Sequence, residues 1–344
     1  MKLLIVTQKV DKNDPILGFF HRWIEEFAKN VDKLTVICLE KGEYNLPKNV
    51  KILSLGKEQK VSKIKYVVNF YKYIWQERKE YDSVFVHMNP IYVVLGGLFW
   101  RALNKKIGLW YTHKSVDLKL RIAEKVTNVI FSASKESFRL KSKKLKILGH
   151  GIDVEKFKND EIKAKIKKWE PVNIVHIGRV TKTKNIHLIL EAVEILHKSN
   201  VRFILVLAGS PVTDLDKKYE KALYSFVNKF EMDKMVRFIG NVAHSNIASL
   251  YKENDIAINL SDTGSMDKAV LEAMAAGIQI VTSNIAFADI LPEENLSSND
   301  PMELASKIKE LKYTSPGSLL REYVLKNHSV SSLIPKIVKY LLYK

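Results

Sequence analysis

Asn259 to Gly277 reads NLSDTGSMDKAVLEAMAAG. The apolar run Ile256, Ile258 and Leu260 enters this stretch as a strand end, and Ser261 to Asp267 are small or polar. Val270, Leu271, Met274 and Ala275 then recur at helical spacing. A strand, a polar glycine-containing loop and a helix make the turn at which open α/β sheets hold ligands. The start of such a helix offers unpaired backbone N–H groups and a partial positive charge, which suit a pyrophosphate. Glu272 falls about one turn into the helix, where its carboxylate can accept hydrogen bonds from ribose hydroxyls. Taken alone, the same glutamate reads equally as a solvated helix former.

A second loop of this kind lies upstream. His176 to Asn185, HIGRVTKTKN, follows the strand-like Val172 to Ile177 and precedes a helical pattern from Ile186 to Leu196. Arg179 and Lys184 therefore stand at the carboxyl edge of a parallel sheet. An arginine fork and a lysine point charge can hold a diphosphate and neutralise the charge that builds on it as it leaves. Either residue alone reads as a loop charge in solvent; the pair on one loop does not.

Together the two segments resemble the glycosyltransferases of GT-B fold, family 4 type (group 1). Their C-terminal halves carry a G-R-x-x-x-x-K loop and an E-x7-E segment ending in L-E-A-M-A-x-G. The matches are Gly178 to Asn185 and Leu271 to Gly277, supported by ILVLAGSP at Ile204 to Pro211, VRFIGNV at Val236 to Val242 and GHGID at Gly149 to Asp153. The resemblance covers most of the chain and is strongest from 172 to 284. It implies two Rossmann-like, doubly wound α/β domains facing across a cleft, with a C-terminal helix crossing back to the first. It also implies a retaining, metal-independent transfer of a sugar from a nucleoside diphosphate to a hydroxyl acceptor, with no resident cofactor. UDP is favoured over GDP because no residue here reads the base.

Carried over position by position, Arg179 and Lys184 would stabilise the leaving diphosphate, and Glu272 would hold the ribose. Ser265 and Met266 would offer loop backbone to phosphates or sugar. Gly18, after the first strand, would admit the donor phosphate closely, and His113, at a strand end, would lie against the sugar. His87, His150 and His176 also end strands. One position departs from the pattern: eight residues before Glu272, where the family has its first glutamate, stands Gly264. Asp267 or Asp262 is then expected to supply a sugar-facing carboxylate. Two alternatives stand beside the transferase: an epimerase acting on nucleotide sugars or sugar phosphates on the same fold, and a basic non-catalytic module that binds membrane or nucleic acid.

At 344 residues the chain exceeds the size of one growing core. We expect an N-terminal acceptor domain over 1–160, a donor domain over 161–328 and a terminal helix over 329–344. Strand-like runs fall at Lys2–Thr7, Leu34–Leu39, Val50–Leu53, Ser83–His87, Gly108–Tyr111, Asn128–Ser132 and Lys146–Leu148, then near 172–177, 202–208, 236–239, 255–260 and 278–282. Glu155 to Glu170 is charged and reads as a surface linker. The last pattern, Val330, Leu333, Ile334, Ile337, Val338, Leu341 and Leu342, is an amphipathic helix.

The single cysteine, Cys38, sits in an apolar run, so no disulfide forms within the chain and a reducing compartment is expected. No stretch approaches the roughly 20 apolar residues of a membrane span, and the expected location is cytoplasmic. Asp214-Leu215-Asp216 matches a bare D-x-D metal motif but leads into a lysine-rich helix, which makes it a helix cap. The net charge of +18 gathers partly at Lys57 to Arg78, where Val67, Phe70, Tyr71 and Ile74 stand at helical spacing among lysines. An anionic bilayer surface, at the inner face of the membrane, is the partner this pattern suggests. Plain solvation explains it as well, and no nucleic-acid motif accompanies the charge.

Overall fold

The computed structural model describes residues 1–158, 170–262, 264–312, 314 and 318–342. The chain divides into two units, one of Met1–Asp153 together with the C-terminal segment from Asn327, the other of Val154–Lys326. Most of the expected linker, 159–169, lies outside the described residues.

The first unit alternates β1 (Lys2–Val10), α1 (Phe19–Lys29), β2 (Lys33–Lys41), β3 (Val50–Ser54), α2 (Lys63–Gln76), β4 (Ser83–His87), α3 (Pro90–Ala102), β5 (Lys106–Trp110), α4 (Leu118–Val126), β6 (Val129–Ser132) and β7 (Leu145–Ile147). Its strands form one parallel sheet in the order β3-β2-β1-β4-β5-β6-β7. Because successive strand residues face opposite sides, Leu3 and Ile5 pack with Phe20, Trp23 and Phe27 of α1. Leu4 and Val6 pack with Phe70, Ile74, Val93 and Leu120 of α2, α3 and α4 on the other side. A sheet covered on both faces needs continuous apolar strands, which is why the runs were legible as strands.

The second unit continues with β8 (Val172–Ile177), α5 (Ile186–Lys198), β9 (Phe203–Ala208), α6 (Asp214–Lys229), β10 (Val236–Gly240), α7 (Ile247–Glu253), β11 (Ile256–Asn259), α8 (Lys268–Ala276), β12 (Gln279–Thr282), α9 (Pro301–Leu311) and α10 (Ser318–His328). Its sheet is also parallel, ordered β10-β9-β8-β11-β12. Each strand expected from the sequence is present, in two parallel α/β sheets as expected.

The C-terminal helix α11 (Val330–Leu342) belongs to the first unit. Its entry is stitched by Ile152 N–H donating to the His328 carbonyl at 2.6 Å and Val330 N–H donating to the Ile152 carbonyl at 2.8 Å. Leu333, Ile334, Ile337 and Leu341 then fill the α1 side of the sheet, and the Leu341 carbonyl accepts from Ser83 Oγ at 2.9 Å. The helical spacing of Val67, Phe70, Tyr71 and Ile74 is realised in α2, with Phe70 and Ile74 buried and Val67 and Tyr71 exposed.

If α11 is part of this core, Ile334→Ala should destabilise the protein by about 2–4 kcal/mol, as for other fully buried isoleucines. Urea denaturation checks this, and a loss below about 1 kcal/mol would place α11 outside the cooperative core.

Candidate active site

In the second unit the strand order reverses between β8 and β11, the switch point at which open parallel sheets form a ligand crevice. Across it, Asp255 N–H donates to the Asn173 carbonyl at 2.8 Å, and the ladder pairs Ile174 and Val175 with Ile256 and Ala257. One residue further on, the His176 side chain takes over, with Nδ1 2.9 Å from the Ile258 carbonyl. That bond puts the proton of the neutral ring on Nδ1. Burial pushes His176 down to about 4, so the ring is neutral near pH 7. Its Nε2 is buried without a partner among the described residues. On the β9 side the ladder runs on, with Gly178 N–H donating to the Ala208 carbonyl and Val180 N–H to the Ser210 carbonyl. Gly209 allows this: at φ +142° a Cβ there would stand 1.8 Å from the Gly178 oxygen.

Two loops meet over this gap. The loop after β8 carries exposed Arg179 and largely buried Lys184. The loop after β11 ends at Asp267, the N-cap of α8, whose side chain accepts from Ala269 N–H at 3.2 Å. Lys184 Nζ donates to Asp267 and, at 3.3 Å, to Ser261 Oγ. Asn259 Nδ2 adds a bond to the same Asp267 oxygen at 3.1 Å. Burial by itself would raise the Asp267 pKa; Lys184 and these hydrogen bonds outweigh it and hold the carboxyl below its ordinary value. Lys184, expected on a diphosphate, and Asp267, expected against a sugar, are thus each other's partner in this structure. Asp267 also caps one of the N–H groups that the sequence left open at the start of α8.

Asp262, the other carboxylate suggested for the sugar, accepts from Asn185 Nδ2 at 2.9 Å and Asn299 Nδ2 at 3.0 Å, which ties it to loop structure. Ser265 gives its carbonyl to Asn284 Nδ2 at 2.7 Å, and Met266 is buried. Gly264 stands at φ +61° with open space around the position of a Cβ.

Glu272 is buried on the first turns of α8. Its Oε1 lies 3.7 Å from His244 Nε2, an arrangement the motifs did not announce. Lys156 Nζ stands 3.0 Å from His244 Nδ1 and also donates to the His244 carbonyl. A lysine can only donate, so Nδ1 accepts and the His244 proton lies on Nε2, toward Glu272. Burial lowers the His244 pKa against the opposing pull of Glu272. The single signal for His244 in the sequence was its place just after the strand Val236 to Gly240.

Gly18 and the other expected histidines lie in the first unit. Gly18 is the N-cap of α1 in ordinary right-handed backbone, φ −56°, and is buried. His113 is exposed after β5; its Nδ1 accepts from Ser115 N–H at 3.1 Å and its ring stands edge-on to Tyr111. His87 is a core residue, stacked on Phe20 with Nδ1 3.1 Å from Thr7 Oγ1. His150 gives its backbone N–H to His328 Nδ1. Asp216 closes a capping box with Thr213 at the start of α6, as expected of a helix cap.

Residues 157–315 match the family model described as glycosyl transferases group 1. Among curated relatives, sulfoquinovosyl transferase SQD2 of Arabidopsis thaliana is 21% identical over 60% of this chain and 38% of its own length. The colanic acid biosynthesis glycosyltransferase WcaL of Salmonella typhimurium is 23% identical over 50% of this chain and 44% of its own. The chain thus spans less than half the length of these relatives. Among solved structures, Anabaena Alr3699/HepE in complex with UDP superposes with a TM-score of 0.77 at 16% identity, covering 99% of both chains. A glycosyltransferase from Rickettsia africae gives 0.70 at 15% identity, over 99% of this chain and 98% of its own. The likeness to group 1 glycosyltransferases and the GT-B fold, both expected from the motifs, hold.

The Lys184–Asp267 pair has a measurable signature. A carboxyl whose folded pKa is depressed stabilises the fold above its unfolded value, near 3.8, and loses that contribution as pH falls through the folded value. Asp267→Asn should therefore cost about 3 kcal/mol at neutral pH, where it leaves Lys184 buried without its counter-charge. The gap to wild type should narrow below pH 3.8. Denaturant unfolding at neutral pH and near pH 3 reads both values, and an unchanged gap would show that the pair is not what holds the loops.

Proposed function

We propose that the protein is a retaining glycosyltransferase of the family 4 type that moves a sugar from a nucleoside diphosphate, UDP before GDP, to a hydroxyl acceptor. The observation that supports this is the placement of Arg179 and Lys184 on the loop after β8 and of Glu272 on the helix after β11, the two strands that flank the switch point, inside the stretch that matches the group 1 model. As the bond between the sugar C1 and the β-phosphate oxygen breaks, negative charge grows on the diphosphate. Arg179 and Lys184 neutralise it, Lys184 exchanging Asp267 for phosphate oxygens. Glu272, with His244 Nε2 3.7 Å away, accepts from the ribose hydroxyls. Ser265 and Met266 offer backbone groups to the phosphates or sugar, and Asp267, once released by Lys184, is the carboxylate nearest to hand for the sugar. Gly18 and His113 are assigned to the donor from their matching motif positions, His113 to the sugar. Retention is the stereochemistry of the family that the motifs match.

No metal or resident cofactor is assigned to the reaction, since the two cations and the α8 start can carry the charge. The acceptor fits cell-surface polysaccharide or glycolipid synthesis, the context of WcaL by its name, and a lipid-linked acceptor at the inner face of the cytoplasmic membrane suits the basic surface. Among the described residues no helix is long and apolar enough to cross a membrane.

Incubation with a panel of nucleotide sugars, with and without lipid-phosphate acceptors, tests the reading through release of free nucleotide. Arg179→Ala and Lys184→Ala should each lower kcat on the order of 100-fold, and Glu272→Gln should act mainly on KM. Turnover close to wild type in both cation variants would remove the assignment. Restoring the family's glutamate by Gly264→Glu should not raise turnover, because the left-handed backbone there costs an L residue about 1 kcal/mol and Asp267 already serves; a gain in activity would contradict this role for Asp267.

A further inference from the structure

Helix α2 carries two apolar stripes, and the sheet uses only one. Phe70 and Ile74 face inward and are buried. Ile64, Val68, Tyr71 and Trp75, spaced at i, i+4, i+7 and i+11, fall within about 60° of one another on the helix. All four are exposed, Ile64 by 77% and Trp75 by 55%. The stripe continues onto α3: Tyr71 OH donates to the Leu95 carbonyl at 3.0 Å, the Trp75 and Phe99 rings lie 5.9 Å apart, and Leu98 is 76% exposed. Sets of large exposed apolar side chains that adjoin across two helices mark an interaction surface rather than ordinary scatter.

The charges around it have one sign. No acidic residue occurs between Glu58 and Glu77, nor between Asp82 and Asp117, segments that hold all of α2 and α3. Lys65 and Lys72 flank the stripe seven residues apart, two turns along the helix, and both are exposed. The Arg78 guanidinium lies 4.2 Å over the Trp75 ring. Tyrosine and tryptophan have an apolar body and a polar edge, and lysine and arginine have long apolar stems beneath a charged head. Such side chains suit the boundary between acyl chains and headgroups.

We propose that the outer face of α2 and α3 docks on an anionic bilayer, with Ile64, Val68, Trp75 and Leu98 entering the acyl boundary and Lys65, Lys72 and Arg78 meeting lipid phosphates. The choice of a bilayer over a folded partner rests on charge complementarity: the face is cationic and apolar with no acidic residue to orient a protein. The inference draws on this face alone and does not need the transferase reading.

The test is sedimentation of the full-length protein with phosphatidylcholine vesicles and with equimolar phosphatidylcholine and phosphatidylglycerol vesicles, alongside tryptophan emission. Wild type should bind only the anionic vesicles and be released as salt shortens the screening length from about 10 Å to about 3 Å. Lys65→Glu with Lys72→Glu should weaken partition by about 20-fold or more, from roughly fivefold per charge removed. Ile64→Ser with Leu98→Ser should abolish the blue shift of Trp75 and weaken partition. Thermal unfolding and nucleotide binding should be unchanged in both, since these side chains are exposed. Equal binding to neutral vesicles, no binding to either, or wild-type partition of the charge variant would overturn the proposal. So would a wild-type dimer in solution that Ile64→Ser with Leu98→Ser dissociates, which would assign the face to a second copy of the chain.

Discussion

The gap between β8 and β11 is the constraint around which the second unit is arranged. Two parallel strands that part before their ends leave backbone carbonyls and loop charges facing one another in a largely buried place, and each must find a partner. His176 satisfies the Ile258 carbonyl below the gap, and the Lys184–Asp267 pair closes it above. A neutral histidine suits the lower position, since a second buried cation so close to Lys184 would oppose it. The upper pair holds the lysine in place without a ligand, and in the proposed reading a diphosphate takes the aspartate's role because it offers the same negative oxygens. The strands hold the loops, the loops hold the charges, and the charges define what the crevice can receive.

The same arrangement explains what was legible in the sequence. Buried parallel strands must be apolar on both faces, so runs such as Leu3 to Val6 and Val172 to Ile177 declared themselves. Helix α8 did so through its spacing, and Arg179, Lys184 and Glu272 through their places after strands. What could not be read was pairing at long range. Nothing local says that Lys184 meets Asp267, 83 positions away, or that Lys156 meets His244 and His244 lies beside Glu272. Asp262 and Asp267 look alike in the loop, and only the fold gives one to two asparagines and the other to a lysine. On helix α2 the spacing was legible but not the inward face: two apolar stripes blur into a single pattern, and periodicity alone does not say which stripe meets the sheet.

The departure at Gly264 takes on a physical sense in this frame. Its left-handed backbone and the open space beside it belong to a loop that bends to deliver Asp267 three residues later, at the helix start. A carboxylate in that place also caps the helix, a task the family's earlier glutamate position would not perform.

Calorimetric titration of UDP into the wild-type protein and into the Lys184→Ala variant tests the central claim most directly, since it asks whether the lysine that holds Asp267 also holds a diphosphate. The account predicts saturable binding at one site per chain in the wild type and affinity at least tenfold weaker in the variant. Absence of saturable binding for both UDP and GDP, or equal affinity in the two proteins, would contradict it.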